Sequence, residues 1–254
     1  MKIYSWNVYY HNKKIELMLN FIKNLDFDVL CLQEVPENLL GNLRALPYQT
    51  VHAIDLEFIS KEKSCAVYHV ILSRFPIRTS GAVPPVRVVL PWRTYTILKF
   101  RSGWTDIINR EFLYADVETP TGVLRIFSVH LALSRPRDRK NEFELIRQNI
   151  PKEFPAIIAG DFNILEFAPI KIFNWLFGSP ITHALPWYDE RSEFEICFEK
   201  FCFQNPLRGQ KTHNLSRSQL DHILVPNDAK VLKAEIIKET YGSDHHPVFI
   251  EVVI

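Results

Sequence analysis

Polar side chains that could bind a metal ion or move a proton lie at the ends of five short apolar runs. They belong to Asn7, Glu34, His130, Asp161, Asn163, Asp244 and His245. A carboxylate or imidazole at the end of a buried strand costs free energy unless a ligand or partner uses it. Oxygen ligands suit a hard metal ion, and histidine suits acid–base chemistry. Because the residues span positions 7 to 245, we expect the whole chain to build one site.

Glu34 and Asn7 are the candidate ligands nearest the N-terminus. Glu34 follows the run 28–33, which is typical of a strand buried on both faces. A carboxylate in that place fits a Mg²⁺ ligand, and a buried ion pair with Lys or Arg is an equally supported alternative. Asn7 could ligate the same ion, or it could simply be the turn residue that ends its strand.

The segment from Gly160 to Asn163 is more specific. Gly160 would let the backbone pass close to a ligand, and alternation along an extended chain would place Asp161 and Asn163 on one side. A carboxylate and an amide arranged in this way can hold a water molecule and polarise it for attack. The alternative is an Asx-turn that closes the strand.

Two histidines are candidates for proton transfer or for binding a charged oxygen. His130 ends an alternating run, and His245 directly follows Asp244. Asp221 opens a later strand and could orient an imidazole by accepting a hydrogen bond from its other nitrogen. For His130, a histidine satisfied by backbone groups is the alternative.

The elements that must position these residues are mostly short strands. We predict strands at 2–7, 28–34, 66–72, 94–100, 112–118, 123–130, 156–161, 220–225 and 248–253. Apolar spacing predicts helices at 15–25, 141–150 and 168–177, and segment 179–215 looks irregular. Many strands with few helices favour two facing sheets flanked by helices. No linker divides the chain, so we expect one domain over residues 1–254.

The composition is that of an ordinary globular protein, with 47% hydrophobic and 23% charged residues. The net charge of +1 gives no global attraction to nucleic acid or membrane. No apolar stretch is long enough to span a membrane, and the four cysteines form no Cys-x-x-Cys pair. We therefore expect a reduced, cytoplasmic protein with no stable membrane insertion and no obligate protein partner.

The polar strand ends also match known motifs in the same order. The pieces are Ser5-Trp6-Asn7, Leu32-Gln33-Glu34, Val129-His130-Leu131, Gly160-Asp161-Phe162-Asn163, Leu220-Asp221 and Ser243-Asp244-His245. Together they resemble the endonuclease/exonuclease/phosphatase superfamily, in the branch that carries a His-Leu motif. The resemblance covers essentially the whole chain. It implies an α+β fold of the DNase-I-like kind, a four-layer α/β/β/α sandwich in which helices flank two facing mixed β-sheets.

The resemblance also implies a role for each side chain. Asn7 and Glu34 would bind Mg²⁺, with Mn²⁺ as a possible substitute and Asp244 nearby. In the same way, His130 would donate to a non-bridging phosphate oxygen.

The remaining catalytic roles concern the attacking water. Asp161 and Asn163 would position or deprotonate it, and Asp221 would hold His245 as the remaining acid–base group. The sequence leaves open whether Asp161 or His245 is the general base.

The substrate is less well defined than the reaction. Arg110 and the run containing Arg135, Arg137 and Arg139 could steer a phosphate backbone, although a solvated helix start explains that run equally well. We predict a Mg²⁺-dependent phosphoester hydrolase, first of all a nuclease-type phosphodiesterase acting on DNA or RNA. A phosphatase or a sphingomyelinase-like lipid phosphodiesterase is the alternative, and a catalytically silent interaction module is less favoured.

Overall fold

The computed structural model describes residues 1–60, 63–85, 92–94, 96, 99 and 104–254. Its helices are α1 (Ile15–Asn24), α2 (Glu37–Arg44), α3 (Pro136–Gln148), α4 (Ile172–Leu176) and α5 (Glu190–Lys200), with 3₁₀ turns at Ala168–Lys171 and Ile181–Ala184. The strand predicted at 94–100 falls largely outside the described residues. No helix in the described ranges is long and apolar enough to cross a membrane.

The strands form two mixed sheets. They are β1 (Lys2–Asn7), β2 (Val29–Pro36), β3 (Gln49–Ser60), β4 (Lys63–Ser73), β5 (Ile77–Val83), β6 (Trp104–Asn109), β7 (Phe112–Thr119), β8 (Gly122–His130), β9 (Ala156–Asp161), β10 (Phe203–Gln204), β11 (Asp221–Pro226), β12 (Lys230–Ile236) and β13 (Val248–Val253). Within the described residues, one sheet has the order β12-β13-β1-β2-β4-β3-β6 and the other the order β10-β11-β9-β8-β7-β5.

Side-chain alternation along the strands produces the layers. On β1, Ile3 faces the core between the sheets, whereas Tyr4 and Trp6 pack toward α1 and α2. On the other sheet, Ile158 of β9 packs with Phe143 of α3 and with side chains of α5. Each fully buried aromatic or aliphatic side chain contributes roughly 1.5–3 kcal/mol. The result is the predicted order of helices, sheet, sheet and helices, so the fold-class prediction is confirmed.

The sheet register brings the polar strand ends together. β1 runs parallel to β2 with Asn7 opposite Gln33, and β8 runs parallel to β9 with His130 opposite Asp161. β11 is antiparallel to β9 and starts with Asp221 opposite Asp161. The carboxyl ends of four strands and the start of β11 therefore meet at one end of the sandwich.

The helices differ from the sequence prediction in several places: α2 was not predicted, and the helix predicted at 168–177 is a 3₁₀ turn followed by the short α4. Helix α3 starts at Pro136 rather than at 141, because Pro occupies its first turn and the Asp138 side chain accepts from the backbone N–H of Arg135 at 3.3 Å. Helix α5 lies within the segment predicted to be irregular. Its pattern is obscured because Glu190 and Glu195 point inward, where they are buried in ion pairs.

Candidate active site

Asn7 links the two central carboxylates. Its Nδ2 donates to Glu34 Oε1 at 3.0 Å and to Asp161 Oδ2 at 3.2 Å. Its Oδ1 accepts from the backbone N–H of Tyr9 at 3.0 Å. In this arrangement Asn7 holds two carboxylates side by side, and its role as a metal ligand, which the family resemblance implies, stays a prediction.

Glu34 is presented by an unusual local backbone. The β2–β4 register shifts between Leu32 and Val35, and Glu34 between them has a φ of 55°. A left-handed conformation is rare for a residue with a side chain and is characteristic of functional sites. The backbone N–H of Tyr10 donates to Glu34 Oε2 at 3.2 Å. Burial raises the pKa of Glu34, although His130 works against this shift, so a nearby positive charge would favour the carboxylate.

His130 is fixed by a carboxylate that the sequence analysis missed. Asp55 Oδ1 lies 3.0 Å from His130 Nδ1, and Asp55 Oδ2 accepts from the backbone N–H of Glu34 at 2.8 Å. His130 Nε2 then points into the site, 3.7 Å from Asp161 Oδ2. Burial opposes the charged imidazole, but Asp55 raises the pKa of His130 to about 9. The sequence signal was weak, because Asp55 is one of two carboxylates in the mostly apolar run 51–59.

A second buried histidine lies behind this pair. His69 Nε2 is 3.4 Å from Asp55 Oδ1, and its Nδ1 is 3.2 Å from Ser128 Oγ. Gln33 donates to the same serine at 3.0 Å, so the polar network continues between the sheets. Burial lowers the pKa of His69 to about 4. At Asp55 burial would raise the pKa, but the charges of His130 and His69 outweigh it and hold the pKa below its usual range.

The turn after β9 places both predicted water-binding residues. Asp161 Oδ1 accepts from the backbone N–H of Asn163 at 2.8 Å, and Asn163 Nδ2 donates to the carbonyl of Leu131 at 2.8 Å. This is the Asx-turn of the alternative interpretation, and it still brings both side chains to the site. Gly160 serves a different purpose from the predicted one, because a Cβ there would lie 1.9 Å from the Val129 carbonyl oxygen. The absence of a side chain at Gly160 permits the close approach of β8, whereas the sequence predicted the close approach of a ligand.

His245 forms the predicted pair with Asp221. Its Nδ1 lies 2.9 Å from Asp221 Oδ2, and its Nε2 lies 3.7 Å from Asp161 Oδ2. Trp6 Nε1 donates to the His245 carbonyl at 3.2 Å, and Ser243 Oγ accepts from its backbone N–H at 3.0 Å. Burial opposes protonation, yet Asp221 and Asp161 raise the pKa of His245 to about 10.

Asp244 has a neighbour that sequence reasoning missed. Its Oδ2 lies 3.5 Å from His213 Nε2, and His213 forms an isolated β-bridge with His245. No local pattern singles out His213, because this bridge joins residues far apart in the chain. Burial would raise the pKa of Asp244, but His213 and His245 lower it.

The donor set fits a hard divalent cation. Glu34, Asp161 and Asp244 supply carboxylate oxygens, which Mg²⁺ and Mn²⁺ prefer. Within the described part of the chain, Asp244 Oδ1 is buried without a hydrogen-bond partner. His213, Asp244 and His245 also offer ligand atoms that all lie within 4.8 Å of one another.

The predicted substrate-binding arginines differ in their surroundings. Arg110 reaches the site but donates to Glu142 at 2.5 Å and to the carbonyl of His130 at 2.7 Å. Arg137 is exposed, whereas Arg135 is paired with an acidic residue of its own helix.

Arg139 corrects the prediction of a basic cluster. Its side chain is fully buried and forms a two-point ion pair with Glu190, with both N···O distances 2.7 Å. The sequence interpretation failed because Glu190 is distant in the chain and its pairing is not visible locally. Arg139 therefore supports the fold and does not face a substrate.

The site opens into a cavity of about 770 Å³. Its functional lining residues include Glu34, His130, Asp161, Asp244 and His245. Cavities that bind small molecules usually measure about 300–1,000 Å³. The predicted groups thus share one space that is large enough for a substrate.

Two mixed sheets packed between helices, with this polar end, define the DNase-I-like class of fold. The sequence profile of the Endonuclease/Exonuclease/phosphatase family matches residues 4–245, and the chain belongs to that family. The enzymes of this family are hydrolases acting on phosphoester bonds and generally use divalent metal ions. No curated protein matches the chain in sequence.

Solved structures share this fold at low sequence identity. The endonuclease/exonuclease/phosphatase from Beutenbergia cavernae DSM 12333 has a TM-score of 0.69 and 16% identity, covering 99% of this chain and 71% of its own. A mannosyl-6-phosphatase from Bacteroides thetaiotaomicron VPI-5482 gives 0.63 and 18%, covering 100% of both chains. The human Nocturnin catalytic domain, with bound sulfate, gives 0.64 and 17%, covering 100% of this chain and 94% of its own. These similarities concern the fold alone.

Proposed function

We propose that this protein is a divalent-metal-dependent hydrolase of phosphoesters and that residues 1–254 act as one catalytic unit. The observation that carries the proposal is the convergence on Asp161. His130 Nε2 and His245 Nε2 each lie 3.7 Å from Asp161 Oδ2, and Asn7 joins this carboxylate to Glu34. Two oriented imidazoles facing two carboxylates can bind a phosphate and move its protons.

Glu34 and Asp244 are the proposed ligands for Mg²⁺ or Mn²⁺, and Asn7 keeps Glu34 beside Asp161. When bound, the cation would neutralise phosphate charge and stabilise the departing oxygen. Charge repulsion from the carboxylates would otherwise oppose entry of a phosphate.

The histidines and Asp161 are proposed to carry the remaining steps. Asp161 and His245 face each other and act as the pair that moves the proton, with Asp221 holding the imidazole in place. The water oxygen bonds to phosphorus as the bond from phosphorus to the alcohol oxygen breaks. The pair takes the proton from water and returns one to the alcohol. His130, oriented by Asp55, donates to a non-bridging oxygen as its negative charge grows.

The proposal is tested with chelator-treated protein and two chromogenic esters, bis-p-nitrophenyl phosphate and p-nitrophenyl phosphate. We expect turnover only after Mg²⁺ or Mn²⁺ is added, and a loss of about 100-fold or more in kcat for Asp161→Asn. Asp244→Asn should raise the metal concentration needed for half-maximal rate. The matched control is Asp228→Asn, because Asp228 is exposed and away from the cavity.

Two outcomes would contradict the proposal. One is turnover that persists in the chelated protein. The other is an equal rate for wild type and Asp161→Asn, as expected of a catalytically silent interaction module.

The sequence placed the chain in the family branch with the His-Leu motif and predicted nucleic acid as the first choice of substrate. The arginines support it weakly, because Arg139 is buried and Arg135 is paired within its own helix. The lining of the cavity gives more support to a phosphoester whose alcohol is not a nucleoside.

A further inference from the structure

The cavity continues from the catalytic groups into an apolar space. Its wall includes Ile107 and Ile108 of β6, Leu131 and Leu133 after β8, Phe173 of α4 and Leu215 before β11. These side chains come from four separate parts of the chain. Apolar surface on several sides of one cavity favours an apolar ligand group, because burying that group releases water from both surfaces.

Part of this wall is exposed at the cavity rim. Ile108 is 50% exposed, Leu133 is 43% exposed and Leu215 is 74% exposed. A single exposed aliphatic residue is ordinary, but several that line one cavity form a patch of the kind that contacts ligands or lipid. The rim therefore extends the apolar surface of the cavity outward.

The charges of the described lining residues do not suit a chain of phosphates. Among the described residues that line the cavity, Arg110 is the one Lys or Arg side chain, and it is ion-paired with Glu142. Polynucleotides are held mainly by cations that contact successive phosphates. Arg137 is exposed but does not line the cavity. The lining is thus equipped for one phosphate at its carboxylate–histidine end.

Two of the aromatic side chains that line the cavity pack against each other rather than presenting both faces to a base. Phe173 and Phe177 stack on each other, with ring centroids 5.8 Å apart and planes at 27°. Phe177 is 6% exposed. A base could not insert between these two rings without separating them.

We propose that the substrate is an amphiphile in which one phosphoester group joins a long apolar chain, as in a phospholipid. The phosphate lies at the carboxylate–histidine end and the chain lies along the apolar wall. This inference rests on the proposed hydrolase function and names the substrate class of the same site. The hydrolysis step is the one given above, with the apolar group as part of the ester.

Binding of n-alkylphosphonates tests the ligand class without requiring turnover, because their carbon–phosphorus bond resists hydrolysis. Butyl-, octyl- and dodecylphosphonate are titrated into the Mg²⁺-loaded protein by calorimetry below their micelle concentrations, with inorganic phosphate as reference. We expect Kd to fall by up to about fourfold for each methylene buried. In parallel, phosphatidylcholine vesicles, a soluble short-chain phosphatidylcholine and single-stranded DNA and RNA are compared as substrates, with the lipids preferred. The two lipid arms separate a membrane source from a dissolved one.

Variants of the rim locate the apolar chain. Leu215→Asp should flatten the dependence of Kd on chain length and weaken dodecylphosphonate binding at least about tenfold. The matched control is Leu232→Asp, since Leu232 is 52% exposed on β12 and does not line the cavity. Both positions are exposed, so neither change should prevent folding.

The outcomes separate the two proposals. Affinity that is independent of chain length, or hydrolysis of oligonucleotides in preference to lipids, overturns the amphiphile inference while leaving phosphoester hydrolysis in place. Chain-length-dependent binding without turnover of any ester supports the ligand class and overturns the hydrolase function. An equal effect of Leu215→Asp and Leu232→Asp would also overturn the assignment of this wall.

Discussion

Replacing Arg139 by methionine should destabilise the protein strongly without altering the salt dependence of any oligonucleotide binding. The guanidinium is fully buried and is held by Glu190 at two N···O distances of 2.7 Å. Its other N–H groups donate to the carbonyl oxygens of Ala132 and Ser134 and to Asn174. Without the arginine, Glu190 would be a buried carboxylate that has lost its counter-ion.

The size of the effect follows from this burial. Removing one partner of a buried ion pair costs about 3–5 kcal/mol. A chain of 254 residues has an unfolding entropy of roughly 0.5 kcal/mol per kelvin near 60 °C, so Tm should fall by roughly 6–10 °C. The double variant with Glu190→Leu removes both charges, and apolar replacement of a whole pair is often close to neutral. It should recover most of the loss.

Urea denaturation monitored by tryptophan fluorescence measures these differences. Arg137→Met, in the same helix but exposed, is the matched control and should stay within about 0.5 kcal/mol of wild type. The reasoning would be refuted if Arg139→Met unfolded like wild type, or if the single and double variants lost equal stability. A variant that kept its stability but lost salt-dependent oligonucleotide binding would favour the basic-cluster interpretation instead.

Two further changes test the supports of the site. Gly160→Ala should greatly reduce folded yield and leave any folded fraction inactive, because the new Cβ would meet the Val129 carbonyl at 1.9 Å. The control is Gly122→Ala, where φ is also positive but the space around the Cβ is open. Equal yields of the two variants would show that β8 tolerates the displacement. His69→Gln should reduce the loss of unfolding free energy that occurs as the pH falls. Because the folded pKa of His69 is about 4, below its ordinary value, the unfolded chain binds a proton that the folded protein does not as pH falls from about 6.5 to 4. Wild type should therefore lose up to about 3 kcal/mol more than the variant in urea titrations across that window, whereas parallel losses would contradict a neutral His69.

The strand ends could be predicted because each depends on a local pattern. An apolar run ending in a polar residue is visible at Glu34, His130 and Asp161, and the family motifs supply their order. Asp55 was missed because it is the extra residue of a register shift between β3 and β4, where Ile54 and Leu56 pair with consecutive residues. Such an irregularity is fixed by the partner strand, so the sequence of β3 alone does not show it.

The buried polar partners were harder still, for a related reason. His213 meets Asp244 only because an isolated bridge joins it to His245. Likewise, a charged run at a helix start looks solvated unless the opposing carboxylate is known, as with Arg139. In each case the deciding contact joins distant parts of the chain, and no local period encodes it.

The groups proposed to be catalytic and the apolar wall proposed to bind the substrate come from different parts of this chain. The side chains proposed to be catalytic project from strand ends whose register is fixed by the core between the sheets, so they are constrained by the fold itself. Part of the apolar wall comes from the connecting segments, where Leu133 follows β8, Leu215 precedes β11, and both side chains are exposed. Substitutions there can change the accepted alcohol without moving the phosphate site. The fold therefore constrains the groups of the proposed reaction, and variants of the apolar wall are the ones that test the proposed substrate class.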